Sequence, residues 1–229
     1  MQKEYIIYSM QRSGHHAIIF WLIENMGGYT KKIDNCSYWN DEKELYYYND
    51  CNHVPFQKKK KFNICLRSYE DILDLPNESA NNSVKIIILR DFVNMIISRY
   101  KKFGTQLGFN NYYLQNLESI IGMWKAQAKD IINQRAIGIL YNKWVIDKEY
   151  RDDISKKLGF ENLDKTDYVP TMGDGSSFCG MRLEMNKDSY NQRFDKLMLP
   201  ASMVAKIRLD RELAELHVKL FGKNYCDEL

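Results

Sequence analysis

The chain has 229 residues, the size of one large domain or two small ones. Its 33 basic and 30 acidic side chains leave a net charge of +3, far from the basic excess of a dedicated nucleic-acid binder. With 45% hydrophobic residues and only 4 prolines and 12 glycines, the composition is that of a folded globule, not of a disordered or fibrous chain.

At the N-terminus, Lys3 and Glu4 lead straight into Tyr5-Ile6-Ile7-Tyr8, a short apolar run that predicts a buried parallel strand. No long apolar stretch with a small-residue cleavage site precedes it, so a signal peptide is not expected. His15 to Met26 is apolar almost all round, as a buried helix is, and Gly27-Gly28 is placed to end it. Its longest apolar run, Ala17 to Ile23, falls far short of the ~20 residues that span a bilayer. Lys58 to Lys61 reads as a solvated loop edge. Phe62 to Leu66 is a weaker strand candidate, and Lys85 to Leu89 (KIIIL) is a strong one. Phe92 to Phe103 has helical spacing, with Val93, Ile96, Ile97 and Tyr100 on one face. Leu117 to Gln134 predicts a long amphipathic helix with Ile120, Ile121, Trp124, Ala128, Ile131 and Ile132 inward. Ala136 to Tyr141 is a further strand candidate, and Tyr150 to Leu158 is a helix closed by Gly159. Ala201 to Phe221, after Pro200 and before Gly222, predicts one final helix. Alternating strands and helices give an α/β class with a mostly parallel central sheet flanked by helices. A single domain over residues 1–229 is expected, since no linker is visible. The five cysteines (36, 51, 65, 179, 226) are odd in number and never spaced as CxxC. Free thiols and a cytoplasmic location are the simplest account.

The most informative stretch joins the first strand to the first helix through Gln11-Arg12-Ser13-Gly14-His15-His16. Amides at a helix N-terminus lack intrahelical partners and carry the positive end of the helix dipole, so they attract phosphate or sulfate. Gly14 permits close backbone approach, and Arg12 supplies a charge that can grip two oxygens. The GxxxxGK[ST] pattern of an ATP or GTP loop is absent. A ligand-free strand–turn–helix corner is the competing account. The adjacent His15 and His16 are expected to point in different directions and not to hold a metal.

Arg90 follows the KIIIL strand, at the edge where open α/β sheets bind ligands. Ser98 lies two turns into the next helix, so Arg90 and Ser98 are placed to meet one anion; singly, both are ordinary polar residues. Together, the two motifs resemble the sulfotransferase superfamily, whose donor is 3′-phosphoadenosine-5′-phosphosulfate. The resemblance implies a P-loop-like architecture in which the first loop, Gln11 to His16, holds the 5′-phosphosulfate and Arg90…Ser98 holds the 3′-phosphate. The family often has Thr-Thr at His15-His16 and Pro at Phe92. Further on, Ile139-Leu140-Tyr141-Asn142-Lys143-Trp144 and Leu158-Gly159-Phe160 look like the family's later segment, in which Tyr141 lies against the adenine. Arg182 is the candidate of a late loop that closes on the nucleotide. The similarity covers most of residues 5–182.

The resemblance implies a sulfuryl transfer to a hydroxyl or amine, with no metal, no nucleic acid and no membrane partner. That chemistry needs a proton acceptor and positive charge on the transferring oxygens. The family places its His or Glu base just after the strand that precedes the Arg…Ser motif. Glu70 is the first choice there, Asp71 the next, and His53 in Asn52-His53-Val54-Pro55 is the rival. A Glu70 base needs burial to raise its pKa, against the downward pull of a positive donor pocket. A saccharide or small metabolite as acceptor is analogy with relatives. The alternatives are a non-catalytic nucleotide-binding protein of the same fold and a nucleotide kinase.

Overall fold

The computed structural model describes residues 3–26, 31–32, 37–40, 45–49, 64–71, 83–101, 109–164 and 199–229. Strand β1, Lys3–Ser9, leads through a turn into helix α1, His15–Met26. Strands β2 (Lys31–Lys32), β3 (Ser37–Asn40), β4 (Leu45–Asn49), β5 (Ile64–Glu70) and β6 (Ser83–Leu89) follow. Helices α2 (Phe92–Arg99) and α3 (Phe109–Ile132) precede strand β7, Ile137–Leu140. Then come α4 (Tyr141–Ile146), α5 (Lys148–Leu158), α6 (Ala201–Leu209), α7 (Arg211–Phe221) and a 3₁₀ turn at Tyr225–Glu228.

The described strands form one sheet in the order β2-β3-β4-β5-β1-β6-β7. Strands β4, β5, β1, β6 and β7 run parallel, and β2 and β3 add an antiparallel edge. The continuous apolar runs now have their reason, because the central strands are covered on both faces. Tyr5 and Ile7 of β1, with Ile86 and Ile88 of β6, pack against residues of α1, α4 and α5. The alternate residues Ile6, Tyr8, Ile87 and Leu89 face residues of α2, α3, α6 and α7. Fully burying each such isoleucine contributes about 1.5–3 kcal/mol. None of the described helices is long and apolar enough to cross a membrane.

Three expectations are corrected. Strand β5 does not stop at Leu66 but runs to Glu70, because it pairs with β1 from Lys3↔Ile64 to Ser9↔Glu70. Glu70 is therefore held by the sheet itself, not by a following loop. The helix expected from Leu117 begins at Phe109. The single helix expected over Ala201 to Phe221 is two, divided at Asp210, whose backbone is extended (φ −81°, ψ 91°). The Asp210 carboxylate accepts the Leu213 N–H to start α7 and is held by Lys125 of α3 at 2.8 Å. The short strands β2 to β4 went unread, since a short strand is defined by its partners more than by its own sequence. Tyr46 to Tyr48 lie in β4.

Candidate functional site

Strand β1 lies between β5 and β6, so the chain switches sides of the sheet around it. The crevice at the carboxyl ends of strands flanking such a switch is where open α/β sheets bind ligands. Ser9, Glu70 and Ile88 stand side by side there, just before the Arg90 corner. The turn after β1 is tight: the Ser13 N–H donates to the Met10 carbonyl at 3.1 Å, and α1 begins at His15. Two of its residues occupy the left-handed region, Arg12 (φ 67°) and Gly14 (φ 83°). Gly14 is required twice over, because a Cβ there would lie 2.2 Å from the Tyr141 ring. Tyr141, the first residue of α4, thus lies directly on the turn. Ser13 is fully buried, and its Oγ has no hydrogen-bond partner among the described residues.

The second motif converges on the same turn. Arg12 Nε donates to Ser98 Oγ at 3.1 Å, and an Arg90 amino group lies 3.4 Å from the Arg12 carbonyl oxygen. The Arg90 guanidinium also sits 5.2 Å from the Tyr141 ring centroid, within cation–π range. Ser98 is met directly by Arg12, and all three side chains share one cluster with Tyr141. The corner carrying Arg90 is held by three other elements. Trp124 Nε1 of α3 donates to the Arg90 carbonyl at 2.8 Å. Asn142 Oδ1 of α4 accepts the Asp91 N–H at 3.1 Å, and His217 Nε2 of α7 accepts the Phe92 N–H at 3.0 Å. Asp91, fully buried, caps α2 by accepting the Asn94 N–H at 2.8 Å and also accepts Asn142 Nδ2 at 2.7 Å. The Arg90 side chain is thus mounted on a backbone fixed from three sides.

No protein-family model matches the chain, and no curated protein matches it significantly.

The acidic residues at the end of β5 divide into two roles. Asp71 accepts the Gln11 N–H at 3.1 Å and is ion-paired with the buried Arg99, whose Nε donates to the Gln11 carbonyl at 3.0 Å. That carboxylate braces the turn. Glu70 Oε1 instead lies 3.0 Å from His15 Nδ1, with side-chain exposures of 14% and 3%. Burial pushes the Glu70 carboxyl up, but the charge and hydrogen bond of His15, with the charges of His16 and Arg99, outweigh it. Its pKa is held below the ordinary carboxylate value, opposite to what a Glu70 base requires. His15 and His16 do not diverge as expected: their ring centroids are 3.8 Å apart at a 39° tilt.

The structure thus brings together Gln11, Arg12, Ser13, Gly14, His15, Arg90, Ser98, Tyr141 and Glu70, with His16 stacked alongside. His53 and Arg182 lie outside the described residues. Sequence reasoning missed Arg99, Trp124, Asn142 and His217 as supports of the site. Arg99 had a visible signal in its position beside Ser98 at the motif's end; the others touch the site only through the fold.

Proposed function

We propose that the chain binds 3′-phosphoadenosine-5′-phosphosulfate and transfers its sulfuryl group to a hydroxyl or amine, within a P-loop-like sulfotransferase fold. One observation carries this reading: Arg12, Ser98, Arg90 and Tyr141, drawn from four places in the chain, converge on one tight turn at the start of α1. Two arginines with a helix N-terminus suit a ligand with anionic groups at both ends. The buried Ser13 hydroxyl and the close Gly14 backbone fit the phosphosulfate end, and the Arg90–Ser98 side fits the 3′-phosphate. Tyr141 offers a flat ring for the adenine. The acceptor is a saccharide or small metabolite, in a cytoplasmic setting, and no metal is required by this chemistry.

The test is ligand-induced thermal stabilisation. 3′-Phosphoadenosine-5′-phosphate should raise the melting temperature far more than ATP with Mg²⁺. The reverse order would favour a nucleotide kinase. Stabilisation without sulfuryl transfer to any acceptor screened with labelled donor would favour a non-catalytic nucleotide binder.

A further inference from the structure

We propose that His15 takes the proton of the sulfuryl acceptor and that Glu70 positions it; the assignment rests on the sulfuryl-transfer reading above. His15 is the first residue of α1 and directly follows Gly14, so it is buried beside the turn that carries Arg12 and Ser13. A carboxylate can only accept, so the 3.0 Å contact between Glu70 Oε1 and His15 Nδ1 requires the proton to be on Nδ1. In the neutral ring Nε2 then carries the lone pair. That nitrogen is buried and has no hydrogen-bond partner among the described residues. The His16 ring, 3.8 Å away between centroids, packs against the imidazole and restricts its swing.

Glu70 is unsuited to take the proton itself. Its oxygen is already engaged, and its surroundings hold its pKa down after burial has pushed the other way. Protonating it would also cost the contact that orients His15. Its position is set by the sheet, opposite Ser9 of β1, which suits an anchor. In the transfer, the acceptor oxygen or nitrogen forms a bond to sulfur, and the bond from sulfur to the bridging phosphate oxygen breaks. The bridging electron pair leaves with 3′-phosphoadenosine-5′-phosphate. The acceptor's proton passes to His15 Nε2, and the resulting imidazolium is stabilised by the Glu70 carboxylate before it releases the proton to solvent.

The experiment combines three readouts on the full chain: stabilisation by 3′-phosphoadenosine-5′-phosphate, sulfate release from labelled donor with water as acceptor, and ring-nitrogen NMR of His15 above neutral pH. The wild type should show Nδ1 protonated and Nε2 bare. His15→Gln should lower kcat by about 10²–10⁴-fold, the range for losing a general base, while keeping nucleotide stabilisation. Glu70→Gln should lower kcat less, leave KM for the donor unchanged and mix the His15 tautomers, since an amide both donates and accepts. A wild-type ring protonated on Nε2 overturns the assignment, and needs no variant to fold. So does a dead Glu70→Gln beside a His15→Gln within a few-fold of wild type. A wild type that binds the nucleotide yet releases no sulfate also overturns it, leaving the nucleotide site intact. Absence of nucleotide stabilisation in the wild type would instead sink the sulfuryl-transfer reading itself.

Discussion

Arg12 combines a strained backbone with a charge at the centre of the turn proposed to bind the anion. Its φ of 67° costs a residue with a Cβ roughly 1–2 kcal/mol, which glycine escapes. On the sulfuryl-transfer reading, that strain is kept so that the side chain can meet the ligand. Arg12→Gly should therefore leave the ligand-free melting temperature equal or higher, while stabilisation by 3′-phosphoadenosine-5′-phosphate is lost. A large drop in ligand-free stability would show that the Ser98 contact serves the fold instead. On the sulfuryl-transfer reading, Arg90 is the residue that distinguishes the two ends of the nucleotide. Losing one charge-assisted contact costs about 1.5–3 kcal/mol, a fall of roughly 10- to 150-fold in affinity. Arg90→Ala should show that fall in calorimetry for the 3′-phosphorylated nucleotide and little change for adenosine 5′-phosphate. Equal losses for both would move Arg90 to the 5′ end or to the scaffold.

Among the elements, the junction of β7 and α4 sets where Tyr141 stands. Tyr150 of α5 closes it: its hydroxyl accepts the Leu140 N–H at 2.9 Å and donates to the Gly138 carbonyl at 3.2 Å. Burial, with a smaller contribution from Asp147, pushes this phenol up to about 12, so it stays protonated at any working pH. Tyr150→Phe removes the acceptor of the Leu140 N–H, and an unpaired buried amide costs about 1–3 kcal/mol. Urea denaturation should show that loss as a lower midpoint with an unchanged slope. An unchanged midpoint would mean that the junction is held by packing alone. The division of the C-terminal segment at Asp210 belongs to this scale too, because α7 begins there and carries the His217 that accepts the Phe92 N–H.

At the scale of the molecule, His217 is the tie between the C-terminal helices and the site. It is fully buried, accepts the Phe92 N–H through Nε2 and lies 3.4 Å from Cys226 Sγ through Nδ1. Burial lowers its pKa from 6.5 to about 4, against a smaller opposing pull from Asp91. The unfolded chain therefore binds the proton first as pH falls. The stability that neutral His217 contributes is complete above about pH 6.5 and is lost as pH falls towards about 4, in total about 3 kcal/mol. Denaturation free energies measured between about pH 7 and about pH 4 should show this slope in the wild type. His217→Gln keeps an acceptor for Phe92 but does not titrate, so its profile should be flatter. Parallel profiles would assign the acid sensitivity to other groups.

The α/β class, the central strands and the turn with Arg12 and Gly14 were legible in the residues alone. Each rests on a local signal: an apolar run with no polar alternation, a glycine where the backbone must turn left-handed, an arginine at a strand's end. The same locality explains why Arg90 and Ser98 were named before their contacts were known, whereas Tyr141 was named through the family resemblance. What the chain did not show locally was decided by pairing between distant segments. Strand β5 reaches Glu70 because β1 offers a partner that far, and no periodicity within residues 64–70 says so. Asp71 and Arg99 are 28 positions apart, and Phe92 and His217 are 125 apart, so their partnerships exist only once the sheet has brought the elements together. The lowered pKa of Glu70 has the same origin, since the charges beside it come from α1 and α2. Sequence determines which groups can carry charge, turn or alternate, because those properties belong to single residues and their neighbours. Only tertiary structure decides which of them meet, because electrostatics and hydrogen bonding depend on distances that the chain's order does not contain.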